Sequence, residues 1–185
     1  MSRWTLLVIL ITALFISACD AIVIVTPDPN SNSTTNNTTN SSNNTSQACT
    51  GECGLVVNVI DGDTIDVVID GEEFRVRYVG VNTPERDEVC YSEATQANAD
   101  MVDGQIVRLV PDTSDTDRYG RLLRYIYVGD TFVNRQLVAE GYAEAVLYNP
   151  DDEYYADFRR FEVSAERNGL GCHPTGIFDD GNAER

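Results

Sequence analysis

Acidic, basic and oxygen-bearing side chains cluster at three places in this chain. The clusters are Asp61-Gly62-Asp63-Thr64, Arg77 followed by Asn82-Thr83-Pro84-Glu85, and Asp117-Arg118-Tyr119-Gly120-Arg121. Carboxylate, amide and carbonyl oxygens are the ligands of hard cations such as Ca²⁺. Such a cation polarises a phosphoryl oxygen, and arginine forks stabilise the charge that develops on phosphorus. With one further carboxylate to handle a water molecule, these residue types predict hydrolysis of a phosphodiester.

Short alternating segments predict the strands that must position these clusters. Leu55–Ile60, Thr64–Ile69 and Glu73–Val81 form a predicted meander, and Asp70-Gly71 is suited to the tight turn between its second and third strands. Two further strands are predicted at Ile106–Val110 and Leu123–Val128.

Three helices are predicted between and after the strands, at Ser92–Met101, Val133–Glu140 and Asp151–Asn168. Ser92 is a candidate N-cap for the first, with Ala94, Ala97 and Met101 on one face, and glycines follow the other two helices. In the last helix the 4-3-4 spacing predicts one face packed on the sheet, formed by Tyr154, Phe158, Phe161 and Ala165.

The order and spacing of the three clusters are more specific than any cluster alone. Over residues 55–170 the chain resembles the staphylococcal (micrococcal) nuclease family, the thermonuclease domain. The resemblance implies an α+β fold, a five-stranded OB-type β-barrel with three helices. It also implies a monomeric, Ca²⁺-dependent endonuclease that cuts DNA and RNA, preferably single-stranded. No segment predicts a helix for reading the major groove, so strong sequence specificity is not expected.

The resemblance assigns the metal-binding roles. Asp63 is expected to bind the ion directly, and Asp61 to act nearby through metal-bound water. Thr83 would contribute its backbone carbonyl and Asn82 its side-chain oxygen. The best-known member of the family has Asp at the position of Asn82, and a neutral amide predicts weaker Ca²⁺ binding than a carboxylate would give.

The resemblance also assigns residues that act on the substrate. Glu85 matches the residue that activates the attacking water, and Arg77 and Arg121 match two arginines that grip the phosphate. Tyr119 and Tyr148 are candidates for stacking the bases of an unpaired strand. Either tyrosine can equally belong to the core or to the rim of the domain.

A different class of function stays open at this point. A nuclease-like OB module that binds nucleic acid or protein without cutting would fit the acidic charge and the amide at Asn82. The presence together of all five charged residues of the predicted site opposes it, since a binding module has no evident need for every one of them.

The first residues have the pattern of an export signal. Residues 1–18 carry a basic residue, Arg3, near their start and contain an apolar run over Leu6–Ile16. Ile16-Ser17-Ala18-Cys19 then resembles a bacterial lipobox, which predicts lipidation of Cys19 and a lipid-anchored protein outside the cytoplasmic membrane, in the periplasm or on the cell surface. The alternative is an uncleaved transmembrane anchor that extends through Val25.

Composition divides the remainder into three parts. Residues 19–50 are rich in Asn, Ser and Thr and predict a disordered tether, residues 51–173 hold the nuclease-like OB domain, and residues 174–185 form an acidic tail. The formal net charge is −17, and all 13 basic residues are arginine. Such a charge argues against a protein that coats nucleic acid, which usually carries a basic surface.

Four cysteines remain when Cys19 is set aside, namely Cys49, Cys53, Cys90 and Cys172. An even number in an exported chain predicts disulfides, and the residues alone allow three pairings. The resemblance favours Cys90–Cys172, because exported relatives carry one cysteine before the first helix and one after the last. Cys49 and Cys53 would then close a small loop. A zinc site is disfavoured because the ligand spacing is poor.

Overall fold

The computed structural model describes residues 49–179 and Gly181. The predicted export signal, Cys19 and nearly all of the predicted tether lie outside the described residues. Within the part that is described, no helix is both long enough and apolar enough to cross a membrane.

Strands and helices alternate along the described chain. Their order is β1 (Glu52–Val59), β2 (Thr64–Ile69), β3 (Glu72–Tyr78), β4 (Val81–Asn82), α1 (Tyr91–Val102), β5 (Ile106–Val110), β6 (Leu122–Val128), β7 (Thr131–Phe132), α2 (Val133–Ala139), β8 (Glu144–Ala145) and α3 (Tyr155–Arg167). Two short 3₁₀ turns follow, His173–Thr175 and Ile177–Asp179.

Five of these strands close into a barrel. Antiparallel pairing gives the order β3-β2-β1-β5-β6, and a parallel pairing of β3 with β6 joins the two ends. Closure removes the free edges that an open sheet would expose. The predicted α+β fold, a five-stranded OB-type barrel with three helices, is confirmed.

The meander forms where the sequence predicts it. Asp70 and Gly71 both have positive φ, 51° and 89°, which is the geometry of a two-residue hairpin turn. The turn sets the register from Ile69 opposite Glu72 to Thr64 opposite Arg77. Because side chains alternate along a strand, this register sends the Arg77 side chain to the face where the site forms.

Aromatic rings join the barrel to the last helix. Tyr125 of β6 meets Tyr154 and Phe158 edge to face, with ring centroids 4.8 and 6.4 Å apart, and Phe132 packs against the same rings. Phe158 and Ala165 are fully buried. The predicted packing of this helical face against the strands is therefore present.

The third strand ends earlier than predicted. It stops at Tyr78 instead of Val81, because Gly80 adopts φ 75° and turns the chain away from the barrel. A side chain at Gly80 would meet the ring of Phe158 at 3.0 Å, so this turn requires glycine. The residues after it form β4, which pairs with β8.

Two helix starts also differ from the prediction. The N-cap of α1 is Cys90, at φ 71°, and Ser92 lies inside the first turn without capping it. The last helix begins at Tyr155 and not at Asp151, because Asp151 is engaged elsewhere: its Oδ1 accepts the Ser114 N–H at 2.6 Å, and its backbone bridges to Tyr148.

Candidate active site

The turn between β1 and β2 brings the first cluster against the second. Asp61 Oδ1 accepts the backbone N–H of Asp63 at 3.1 Å. Asp63 is buried, and its Oδ2 accepts both the N–H and the hydroxyl of Thr83, at 2.8 and 3.0 Å. Gly62 permits this approach, since a side chain there would meet Thr83 Oγ1 at 2.7 Å.

Arg77 is buried at the centre of this arrangement. Its Nη1 donates to the carbonyl oxygens of Tyr78 and Val81, at 2.7 and 2.8 Å, and its Nη2 donates to Asn82 Oδ1 at 3.1 Å. Its Nε lies 3.2 Å from Asp63 Oδ1. These acceptors offset the cost of burying the guanidinium and hold it in one orientation.

The Asn82 side chain lies between two charged groups. It is fully buried, and while its oxygen accepts from Arg77, its Nδ2 donates to Glu144 Oε1 at 3.1 Å. Glu144 is itself buried and is the strand partner of Asn82 in the β4–β8 pair. Sequence reasoning missed Glu144, although a lone acid between Ala143 and Ala145 in an apolar run is a usable signal.

The third cluster forms a turn that presents Arg121. Asp117 Oδ1 accepts the backbone N–H groups of Tyr119 and Arg121, at 2.9 and 3.0 Å, and its Oδ2 accepts Arg121 Nε at 2.6 Å. Burial acts to raise the pKa of Asp117, but these hydrogen bonds hold it below its ordinary value. An ionised Asp117 therefore orients Arg121, whose side chain stays 30% exposed.

The predicted catalytic residues meet at one cavity of about 640 Å³. Its lining contains Arg77, Glu85 and Arg121 together with the two candidate stacking residues, Tyr119 and Tyr148. Tyr119 is 69% exposed, so it is not a core residue, and the Arg118 and Arg121 guanidinium carbons lie 4.8 and 5.5 Å from the centre of its ring. A larger cleft between α1 and α2, of about 860 Å³, contains none of these residues.

The predicted metal ligands are not among the lining residues of the cavity, although two of them, Asp63 and Asn82, contact Arg77. Burial raises the pKa of Asp61 to about 6, and the neighbouring charge of Asp63 adds to the shift. Burial, followed by the charge of Asp63, also raises the pKa of Glu85. A carboxylate whose charge raises the pKa of two neighbouring carboxyl groups marks a concentration of negative charge, which a cation would relieve.

The carboxylates of Asp61 and Asp63 are the kind of oxygen donors that a hard cation binds, and Thr83 is hydrogen-bonded to Asp63 through its N–H and hydroxyl groups. Both oxygens of Asp63 already accept protein hydrogen bonds, and the oxygen of Asn82 is bonded to Arg77. Among residues 49–179, no group of three or more His, Cys, Asp or Glu side chains is close enough to hold a metal ion by itself.

A short turn carries Glu85 from Pro84 towards α1. The N–H of Glu85 donates to Glu88 Oε2, and the N–H of Glu88 donates to the Glu85 carbonyl, both at 2.8 Å. The turn ends at Cys90, which is disulfide-bonded to Cys172, and a second disulfide joins Cys49 to Cys53. This is the pairing that the resemblance favours.

Comparison with known proteins places the chain in a family. The family model described as staphylococcal nuclease homologue matches residues 75–172. The thermonuclease of Staphylococcus intermedius is 37% identical over 126 residues, which cover 65% of this chain and 75% of that protein. The micrococcal nuclease of Shigella flexneri is 34% identical over 142 residues, 71% of this chain and 76% of its own length. Endonuclease YncB of Bacillus subtilis (strain 168) is 40% identical over 119 residues, which cover 60% of this chain and 56% of that protein. With the family model matching more than half of its residues, the chain belongs to the staphylococcal nuclease family.

Proposed function

We propose that this protein is a Ca²⁺-dependent endonuclease that hydrolyses DNA and RNA without strong sequence specificity and prefers single strands. Its family membership makes it a nuclease, a hydrolase of phosphodiester bonds. The observation that carries the finer proposal is the cavity lined by Glu85, Arg77 and Arg121, with the Asp63 carboxylate in contact with Arg77.

Glu85 is the residue that handles the attacking water. Its pKa is raised by burial and by Asp63, which makes the carboxylate a stronger base than an ordinary surface glutamate. We expect Glu85 to accept a proton from the water as the water oxygen bonds to phosphorus. The bond from phosphorus to the 5′-oxygen breaks on the opposite side, and the product ends in a 3′-phosphate.

The two arginines hold the phosphate from different depths. Arg121 stands at the rim, fixed through Nε by Asp117. Arg77 is buried, and Tyr78, Val81 and Asn82 accept three of its five N–H groups, while Asp63 lies 3.2 Å from Nε as an ion-pair partner. The second N–H of Nη2 is left for a phosphate oxygen. Donors fixed before the reaction stabilise developing negative charge without having to reorganise.

Ca²⁺, when bound, would supply Lewis-acid polarisation of the phosphoryl oxygen. The residues that fit it are Asp61, Asp63 and the Thr83 carbonyl. The raised pKa of Asp61 supports a cation beside it, because a nearby positive charge favours the ionised carboxylate. Calorimetric titration with Ca²⁺ in the presence of a nucleotide tests this assignment, and Asp63→Asn should abolish the heat of binding.

Cleavage of a single-stranded oligonucleotide with Ca²⁺, compared with chelator, tests the activity. Glu85→Gln should lower the rate by roughly 10²–10⁴-fold. The matched control is Glu73→Gln. Glu73 is an exposed carboxylate on β3, so this variant should cleave at the wild-type rate. If wild-type protein binds the oligonucleotide but does not cleave it, the non-cutting binding module is the correct function.

We also propose that the protein is exported and held outside the cytoplasmic membrane by lipid on Cys19. The export pattern of residues 1–18 supports this location, as do the two disulfides, which persist in oxidising compartments. Intact mass should show a lipid on Cys19, absent in Cys19→Ala. Trp4 is the only tryptophan, so tryptophan fluorescence in the purified membrane form would instead indicate an uncleaved anchor.

A further inference from the structure

We propose that Glu144 is a positioning residue for Arg77 and acts through the amide of Asn82. The proposal rests on the proposed function, because it explains how one of the phosphate-binding arginines is held. The chain of contacts is short and buried: Glu144 Oε1 accepts Asn82 Nδ2–H at 3.1 Å, and Asn82 Oδ1 accepts Arg77 Nη2–H at 3.1 Å.

The polarity of the amide gives Glu144 its role. An asparagine side chain has a donor end and an acceptor end, and rotation about its terminal bond exchanges them. Glu144 Oε1 accepts from the Asn82 Nδ2–H group, so this contact selects the orientation in which the Asn82 donor points to Glu144. The acceptor end must then face Arg77, which only donates. A buried carboxylate thereby fixes an arginine through the amide that lies between them.

The short strand β4 makes this chain of contacts possible, which we call the Glu144–Asn82–Arg77 relay. Gly80 turns the chain after β3, and the two residues that follow pair with β8 so that Asn82 lies opposite Glu144. Asn82 is fully buried and Glu144 is 8% exposed, so water competes little for either partner. The same pairing places Arg77 Nη1 on the carbonyl of Val81, which ties the guanidinium to β4 twice.

This relay assigns the Asn82 oxygen to Arg77 and not to the metal ion. The two assignments predict opposite effects of Asn82→Asp. As a metal ligand, a carboxylate at this position would strengthen the site. In the relay, the new carboxylate would face the Glu144 carboxylate across a buried contact, where like charges repel strongly. One of the two acids would then move or take up a proton, and Arg77 would lose its fixed acceptor.

The test exchanges the hydrogen-bond donor and acceptor between positions 82 and 144. Asn82→Asp should lower kcat/KM about tenfold or more, since it places two acceptors face to face. Glu144→Gln alone should lower kcat/KM, by less than Asn82→Asp, because a glutamine can turn either its oxygen or its NH₂ group towards Asn82 and no longer selects one orientation of the amide. The double variant, Asn82→Asp with Glu144→Gln, should recover to within about threefold. In it the introduced glutamine amide donates to the introduced carboxylate, and that carboxylate accepts from Arg77.

Glu162 provides the matched control. It is a buried glutamate near β8 that accepts the backbone N–H of Ala145, whereas the Asn82 amide donates to Glu144. Glu162→Gln removes the same charge from the same neighbourhood and should not rescue Asn82→Asp. Rescue by Glu162→Gln, or an Asn82→Asp variant as active as wild type, would overturn the relay.

A second readout does not depend on cleavage. The ¹H–¹⁵N signal of the Arg77 Nε–H group, assigned through Arg77→Lys, should be sharp and slow to exchange in wild-type protein. It should broaden or shift in Asn82→Asp and return in the double variant. An unchanged signal in Asn82→Asp overturns the proposal even in an inactive protein. If the signals behave as expected but the wild-type protein does not cleave, the proposed function alone is wrong.

Discussion

Asp63 is the residue through which the charges of the site are coupled. It contacts Arg77 and Thr83 directly, and its charge raises the pKa of both Asp61 and Glu85. Burial is the larger cause of both pKa shifts, and the charge of Asp63 adds to each, so Glu85 is a better base and Asp61 ionises less readily. Both effects should weaken when a cation binds, because positive charge nearby lowers the pKa of a carboxyl group.

Asp61 makes the metal-free protein less stable at neutral pH. Its pKa is about 6 in the folded state against 3.8 as the ordinary value, so folding is favoured while the group is protonated. That favourable contribution is present below pH 4 and is lost as the pH rises to about 6. In chelator at pH 7, Asp61→Asn should therefore raise the free energy of unfolding by on the order of 2 kcal/mol, and the difference should vanish near pH 4.

Asp66 provides a control, because its pKa is shifted in the opposite direction to that of Asp61. The hydrogen bond from Arg75 lowers its pKa, so its stabilising contribution is present above the unfolded value and is lost in acid. Asp66→Asn should lower stability at pH 7, as measured by urea unfolding. A stabilising effect of both variants would mean that general charge repulsion, and not the local pKa of Asp61, is responsible.

The sequence identified individual site residues better than their contacts. Arg77, Glu85 and Arg121 were found because their spacing within local motifs carries the signal, and the structure brings all three to one cavity. Glu144 was missed because its role depends on a two-residue strand pair between segments 62 residues apart. A pairing of that length leaves almost no periodicity in the sequence.

Element boundaries were predictable where turn chemistry is local. The Asp70-Gly71 hairpin is fixed by residues that accept positive φ, and it appears as predicted. The start of α3 was wrong by four residues because Asp151 caps a distant backbone N–H, that of Ser114, and not the helix. Tertiary hydrogen bonds overrode the local preference there, which a single sequence does not reveal.

The disulfide between Cys90 and Cys172 is expected to carry most of the covalent stabilisation. It joins the residue before α1 to the segment after α3 across 82 residues, whereas Cys49–Cys53 spans four. Loop-closure entropy predicts a loss of roughly 4–5 kcal/mol on removing the long bridge and about 2 kcal/mol for the short one. Urea unfolding of the Cys90→Ala/Cys172→Ala and Cys49→Ala/Cys53→Ala proteins measures both, and equal losses would contradict the entropic account.

At the scale of the whole molecule, an acidic protein must bind a polyanion. The formal net charge is −17, and three of its 13 basic residues, Arg77, Arg118 and Arg121, line the cavity. The three arginines supply donors for phosphates at the cavity, in a molecule whose net charge repels them. We therefore expect phosphate contacts at the cavity to be few.

This distribution of charge predicts a weak dependence of cleavage on salt. Three arginine–phosphate contacts on a single strand give a slope of about −2 for the logarithm of the association constant against the logarithm of salt concentration. Screening of the repulsion between the acidic surface and the strand acts in the opposite direction. The slope of log kcat/KM, measured from low to physiological NaCl at fixed free Ca²⁺, should therefore lie between about −2 and zero or become positive.

Arg118→Ala isolates the contribution of one contact. Removing a single phosphate contact should make the slope less negative by about 0.7. Arg135→Ala is the control, because Arg135 stacks near Phe132 and Phe161, away from the cavity, and should leave the slope unchanged. A wild-type slope steeper than about −2 would contradict the prediction, since three arginines do not release that many counterions and a further phosphate-binding surface would be needed.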